Sequence, residues 1–349
     1  MMKHIVTGGT GFIGSALVER LLEDGCEVVV IDNGSSPESP LQKRISITFK
    51  EPALRIIRAD ISHIGTQTGL KEKLEEAFRN ADTVFHLAAR ARVQPSIEDP
   101  ILFNSSNVEG TLNMLEFARK ANVRRFVFTS SSSIYGDVET FPTPESTPKN
   151  PMSPYGLQKL IGEQYCQLYS RIHDLETVCL RYFNVYGDFF PTRGAYCLVM
   201  GNFIQQITNL ENLKIYGDGE QRRDFTFLGD VVNANILASK SDKVGAGEGI
   251  NIGNGDNRSI NDIAKLFVKH ARTVSVGVTS EGNKTDPYKD LEIEYLPERI
   301  EPKITLADNK LAKDLLGWEP TTDVKDWLDG DTGFLRQFVL EQEHYSTCY

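Results

Sequence analysis

Short runs of β-branched and aromatic residues alternate with amphipathic stretches through the first half of the chain. Residues 4–6, 27–31, 54–57, 83–86, 125–129 and 177–180 read as strands, and residues 13–24, 70–78, 101–121 and 154–173 as helices. Within the third helix Leu112, Leu115 and Ala118 recur at the spacing of one helical face. This βαβ alternation predicts an α/β fold built on a doubly wound parallel sheet. After Asn184 the rhythm breaks into a helix near 198–208, short strands, Pro/Gly-rich stretches and terminal helices over 310–315 and 323–341. Residues 230–251 resume a helix and a strand, so the chain is expected to return to the sheet before finishing a smaller cap. The expected division is residues 1–183 with 230–255 for the sheet domain, and 184–229 with 256–349 for the cap.

Composition narrows the class. The 349 residues are 40% hydrophobic and 25% charged, as in ordinary globular proteins. A net charge of −10 argues against a nucleic-acid or anionic-membrane surface, which would need a basic face. The five cysteines (Cys26, Cys166, Cys179, Cys197 and Cys348) form no CxxC pair, so neither a disulfide framework nor a metal site is suggested. The expected setting is the reducing cytoplasm, with no signal peptide and no apolar run long enough to span a membrane.

The first strand runs into Thr7-Gly8-Gly9-Thr10-Gly11-Phe12-Ile13-Gly14. Gly8 permits the tight turn, Gly11 lets the amides at the helix start, those of Phe12 and Ile13, approach a pyrophosphate, and Gly14 allows close helix-on-strand packing. Asp32 follows Gly14 by 18 residues at the end of the second strand, the place of a ribose-binding acid. The combination predicts a Rossmann-type dinucleotide site, and Asp32, which would repel a 2′-phosphate, favours NAD over NADP. Asn33 and Ser35 would lie along the adenosine. Asp60 and Ile61 after the third strand, and Leu87, Ala88 and Ala89 after the fourth, suit the same cofactor and are equally consistent with packing. His86 reads as a satisfied core histidine.

Tyr155 and Lys159 stand four apart at the start of a helix and so share one face. A lysine ammonium at ~4 Å in an effective dielectric of ~20 is worth about 4 kcal/mol, enough to lower a phenol from about 10 to about 7. Upstream, Thr129-Ser130-Ser131-Ser132-Ser133-Ile134-Tyr135-Gly136 sets a run of hydroxyls at the end of a buried strand, readable by itself as a polar loop.

Together these motifs resemble the extended short-chain dehydrogenase/reductase family, in its NAD-dependent nucleotide-sugar epimerase/dehydratase branch. The resemblance spans Lys3 to about Leu328. It implies that Ser131, four residues before Tyr135, faces the catalytic Tyr155, with Lys159 completing the set and Ser132 and Ser133 lining the sugar pocket. Asn107 in "NVEGT" matches a family position near the active site. Arg181-Tyr182-Phe183-Asn184-Val185-Tyr186-Gly187 is similar to the block whose aromatic residues, here Tyr182, lie near nicotinamide and whose asparagine, Asn184, touches the diphosphate. Tyr216 begins a stretch similar to the "GDGxxxRDF" signature, which makes Arg223 a phosphate ligand, and Arg299 resembles the second one. The "LGWxP" block is matched at Leu316-Gly317-Trp318-Glu319-Pro320.

Within the branch, a 4,6-dehydratase needs an Asp-Glu pair where Ser132 and Ser133 stand. Ser133 matches neither the cysteine of 3,5-epimerases nor the glutamate of uronate decarboxylases. Hydride and proton movement at one carbon remains, which is 4-epimerisation. Ala195 and Tyr196 resemble the "GAY" stretch of UDP-N-acetylhexosamine 4-epimerases, Ser96 lies in a second stretch similar to theirs, and Thr305 falls where they keep a small residue. UDP-N-acetylhexosamine or UDP-hexose is therefore the expected substrate, with a uronate, net oxidation of a nucleotide sugar, or a redox-inactive NAD-binding scaffold as alternatives. The resemblance also implies a homodimer paired through the helices over 101–121 and 154–173.

Overall fold

In the computed structural model the described residues are 1–35, 45, 48–66, 68–188, 198–274, 277–278, 284–285, 288–299 and 301–330. Seven strands form one parallel sheet: β1 (Lys3–Thr7), β2 (Glu27–Asp32), β3 (Leu54–Arg58), β4 (Thr83–His86), β5 (Arg125–Ser131), β6 (Glu176–Tyr182) and β7 (Ala246–Ile252). Their order is β7-β6-β5-β4-β1-β2-β3. The order reverses between β1 and β4, where the next strand in the chain crosses to the other side, and ligands of open α/β sheets bind outside the strands' carboxyl ends at such a point.

Both faces are covered, so the central strands read as unbroken apolar runs, Val28 to Ile31 being an example. On one face lie α1 (Phe12–Glu23), whose stripe of Leu17, Val18, Leu21 and Leu22 is buried, and a helix that the second half of the chain contributes, Leu228–Lys240. On the other lie α2 (Leu70–Phe78), α3 (Gly110–Lys120) and α4 (Pro154–His173). The helix expected over 101–121 is composite: an α-turn at Pro100–Asn104 and a π-turn at Ser105–Glu109 precede α3. Leu115 is fully buried against the sheet, on the face that the spacing of Leu112, Leu115 and Ala118 marks.

The return to the sheet occurs as expected. Helix Leu228–Lys240 leads into β7, which pairs with β6 from Ala246 to Ile252. The cap forms a separate apolar cluster around Phe203, Ile204, Ile263, Phe267 and Trp327, from helices Val199–Thr208, Ile260–Val274 and Val324–Asp329. Of the terminal helix expected over 323–341, the part beyond 330 lies outside the described residues. The helix Lys310–Leu316 and Trp318 pack back on the sheet's own core, and the Trp318 indole donates to the Asp230 carbonyl at 2.8 Å. Phe12 touches both clusters, so the glycine-rich turn sits at the seam between sheet and cap.

Candidate active site

The glycine-rich turn is built by close approach. Gly8 takes φ +70°, and a Cβ there would stand 2.7 Å from the Ala88 nitrogen. A Cβ on Gly14 would run into the Gly8 carbonyl oxygen. Helix α1 therefore presses its first turn onto β1, leaving no side-chain cap on its leading amides. At Gly11 the space is open, with only the Gly8 oxygen at 3.4 Å from a Cβ position. Uncapped amides, the positive end of a helix dipole and free approach suit a pyrophosphate. Asp32 accepts from the Thr10 amide at 3.1 Å and the Gly34 amide at 2.7 Å, fixing the turn and the adenosine-side loop together. A carboxylate has about four lone-pair directions, so two remain for ribose hydroxyls. These residues fit NAD.

Asn33 ties this loop to the third strand's end, donating to Asp60 at 3.1 Å, and its own oxygen takes the Ser35 amide at 3.0 Å. Although burial opposes it, the Ser62 hydroxyl and amide and Asn33 hold the Asp60 carboxyl below the usual range. Ile61 is buried under Gly110 in the sheet core. His86 is fully engaged, its nitrogens 2.8 Å from the Thr7 hydroxyl and 3.0 Å from the Thr111 hydroxyl, and burial lowers its pKa to about 3. It is the neutral core histidine its position suggests.

At the end of β5 the strand's alternation separates adjacent hydroxyls. Ser130 turns toward α4 and donates to Glu163 at 2.6 Å, buried. Ser131 keeps extended backbone, accepts from the Ser133 amide at 3.2 Å and donates to the Ser133 hydroxyl at 3.1 Å. Helix α4 opens against this segment. Pro154 occupies its first turn, Ser153 accepts from the Gly156 amide at 3.1 Å, and Ser96 accepts from the Tyr155 amide at 3.1 Å, so the leading amides are satisfied. A Cβ on Gly156 would stand 2.5 Å from the Ser133 carbonyl, and one on Gly162 would collide with the Phe128 ring. These glycines bring the Tyr155 end of the helix onto the serine run. Lys159 is buried, donates to the Thr129 carbonyl at 2.7 Å and lies 5.0 Å from the centre of the Phe128 ring. Burial lowers its pKa to about 8, against the opposing influence of Cys166 and Glu163.

The cap brings together a second set of the residues read from the sequence. Asn184 donates to the Asp224 carbonyl at 2.9 Å and to the Thr305 hydroxyl at 3.2 Å, joining residues 121 apart in sequence. Asp224 is fully buried and accepts from the amides of Ala307, Asn254 and Gly255; burial raises its carboxyl to about 6 against those three donors. Arg223 pairs with Glu301 at 2.7 Å, and the Arg299 guanidinium lies 3.2 Å from the centre of the Tyr216 ring. Both cations are thus held by residues of the cap.

Residues 4–253 match the family model described as the NAD dependent epimerase/dehydratase family. The chain belongs to that family. It is 33% identical to the UDP-glucose 4-epimerase of Mycolicibacterium smegmatis, over 96% of this chain and 99% of that one. Among solved structures it is similar to the UDP-glucose 4-epimerase of Thermotoga maritima with UDP-glucose, at 32% identity and TM-score 0.80, covering 99% of this chain and 100% of that one. It is likewise similar to the UDP-glucuronic acid 4-epimerase of Bacillus cereus in complex with UDP-glucuronic acid and NAD, at 32% identity and TM-score 0.80, over 96% and 99% of the two chains.

Within this epimerase/dehydratase, several residues singled out from the sequence support the site from behind. Ser96 is completely buried; its hydroxyl donates to the Val93 carbonyl at 2.6 Å and holds the Tyr155 amide. The Asn107 side chain accepts from the Arg90 amide and donates to the Arg90 carbonyl and to Gln158. The Tyr182 hydroxyl accepts internally from Thr129 and Asn235, and burial raises it to about 12. Ala195 and Tyr196 lie outside the described residues. Glu163 and Asp224 went unassigned in the sequence. The spacing of Glu163, four beyond Lys159 on the helix face that meets β5, is the signal that marks it.

Proposed function

We propose that this enzyme inverts C4 of a UDP-linked sugar through a 4-keto intermediate, regenerating its NAD in each cycle. The observation that supports the reading is that the helix carrying Tyr155 and Lys159 opens onto the end of β5, Gly156 against the Ser133 carbonyl and Lys159 on the Thr129 carbonyl, at the same carboxyl edge of the sheet as the glycine-rich turn, with serine at 132 and 133 where other reactions need an acid or a thiol. NAD, when bound, supplies the acceptor for the C4 hydride and later its donor. Tyr155 takes the O4 proton as general base, the Lys159 charge favouring its phenolate, and Ser131 orients O4 and relays the proton. Lys159 stays in place through the Thr129 carbonyl. Arg223, Arg299 and Asn184 hold the diphosphate while the keto sugar turns over, and Glu301 yields Arg223 to it. The relatives act on UDP-sugars, which supports UDP as the nucleotide. NMR of nucleotide sugars incubated with the purified protein should show C4 inversion without added NAD. Turnover that requires added NAD and accumulates NADH would make it a net oxidoreductase instead.

Thr305 supports room for a 2-acetamido group, because its hydroxyl is held by Asn184 and by the Asp224 amide within the cap wall. UDP-N-acetylhexosamine should be used at least as well as UDP-hexose, and Thr305→Tyr should reverse that order by filling the acetamido volume. An unchanged ratio of kcat/KM values would remove Thr305 from the sugar pocket.

A homodimer through α3 and α4 is part of the same reading. Leu157, Leu168 and Ile172 are exposed along α4, and Ile101 is 81% exposed nearby. Such a stripe suits a helical interface. Light scattering at micromolar concentration should give the mass of two chains, and a one-chain mass would remove the claim. Unpaired Cys26, Cys166 and Cys179 fit a cytoplasmic enzyme. Among the described residues no helix is long and apolar enough to cross a membrane.

A further inference from the structure

We propose that Tyr135 is a positioning residue that couples the sugar-binding wall of the cap to the catalytic end of β5, an inference that rests on the epimerase reading. Its hydroxyl stands at the centre of a buried chain of hydrogen bonds. On one side it donates to the Asn251 side-chain oxygen at 2.6 Å. The Asn251 amide nitrogen in turn donates to the carbonyls of Thr143 at 2.9 Å and Asp308 at 3.1 Å. Thr143 pairs with the same cap segment, its amide donating to Leu306 at 2.8 Å and its carbonyl accepting from Asp308 at 3.0 Å. That segment begins at Thr305, whose hydroxyl meets Asn184.

On the other side the Tyr135 hydroxyl accepts from Arg181 at 2.8 Å. Arg181 grips Glu163 with two further nitrogens, at 2.9 and 2.8 Å, and Glu163 accepts from Ser130 at 2.6 Å. Ser130 immediately precedes Ser131. One phenol therefore spans the interval between the residue that orients the sugar and the residue that meets its O4. Side-chain networks of this kind rigidify when every member is satisfied. Displacement of a reacting group by about 1 Å costs roughly 100-fold in rate. The hydroxyl touches no reacting atom, so its part is geometric.

The test is Tyr135→Phe, which keeps the ring beside Phe183 and removes both hydrogen bonds. Wild-type turnover, measured first, tests the epimerase reading itself; the ratio of variant to wild type tests Tyr135. The expected result is a kcat lower by about 10- to 100-fold, with KM and the content of bound NAD within about twofold of wild type. Ser130→Ala, at the end of the chain, should cost about threefold, and the double variant should lose no more than Tyr135→Phe alone, because both loosen the same element. A kcat within twofold of wild type, a loss confined to KM, or losses that multiply in the double variant would overturn the proposal. If Tyr135→Phe fails to fold, Arg181→Lys carries the same test, since it keeps a positive charge beside Glu163 and gives up the fork that reaches the phenol.

Discussion

Tyr155→Phe is expected to lower kcat by about 10³-fold or more while leaving the protein folded and NAD bound. The phenol is the only group on this face of α4 that the mechanism uses as a base. The first turn of the helix is closed by other groups, by Pro154, by Ser153 on the Gly156 amide and by Ser96 on the Tyr155 amide. The lysine that favours the phenolate is fixed independently, through the Thr129 carbonyl. Its burial makes the positive charge effective, because a charge withdrawn from water is screened less. Ser131→Ala should cost about 10²-fold, as it removes one proton carrier and leaves the base. Rates from quenched assays, with cofactor content read after denaturation, check both. A phenylalanine variant retaining a tenth of wild-type activity would rule out the Tyr155 route.

The order of elements and the cofactor turn were legible because each is enforced locally. Gly8 must adopt positive φ, Gly14 must tolerate a carbonyl at van der Waals contact, and strands covered on both faces must be apolar throughout. The direction in which a polar side chain points is set by tertiary packing instead. Ser130 and Ser131 are chemically alike in the sequence, and only the register of β5 beside β6, with Ser130 opposite Arg181 and Ser131 opposite Tyr182, sends one to Glu163 and leaves the other for the site. Ser96 and Asn107 stand in family-like stretches, and only the fold shows that each also satisfies backbone groups that would otherwise be buried unpaired. The π-turn at Ser105–Glu109 carries no periodic signature of its own, since it adds a wider turn inside an otherwise helical run. The joining of Asn184 to Thr305, across 121 residues, is likewise a product of how the distant segments of the cap pack on one another.

Arg181→Met should destabilise the fold by about 3–5 kcal/mol, the cost of leaving one partner of a buried ion pair alone. The side chains of Arg181 and Glu163 are 5% and 2% exposed, and Arg181 Nη2 meets Glu163 at 2.8 Å. Burial works against the Arg181 charge, and the hydrogen bonds and charge of Glu163 more than offset it. Without the guanidinium, Glu163 keeps the Ser130 hydroxyl as a donor but loses its counter-charge. Arg181→Met combined with Glu163→Leu removes both charges and should recover most of the lost stability. It should not recover rate, because Ser130 and Tyr135 would still lack their partners at the catalytic end of β5. Urea unfolding, paired with kcat under conditions where both variants are folded, separates the two consequences. A single variant that loses less than about 1 kcal/mol, or a double variant no more stable than the single, would show that the pair is not held as a buried, mutually dependent unit.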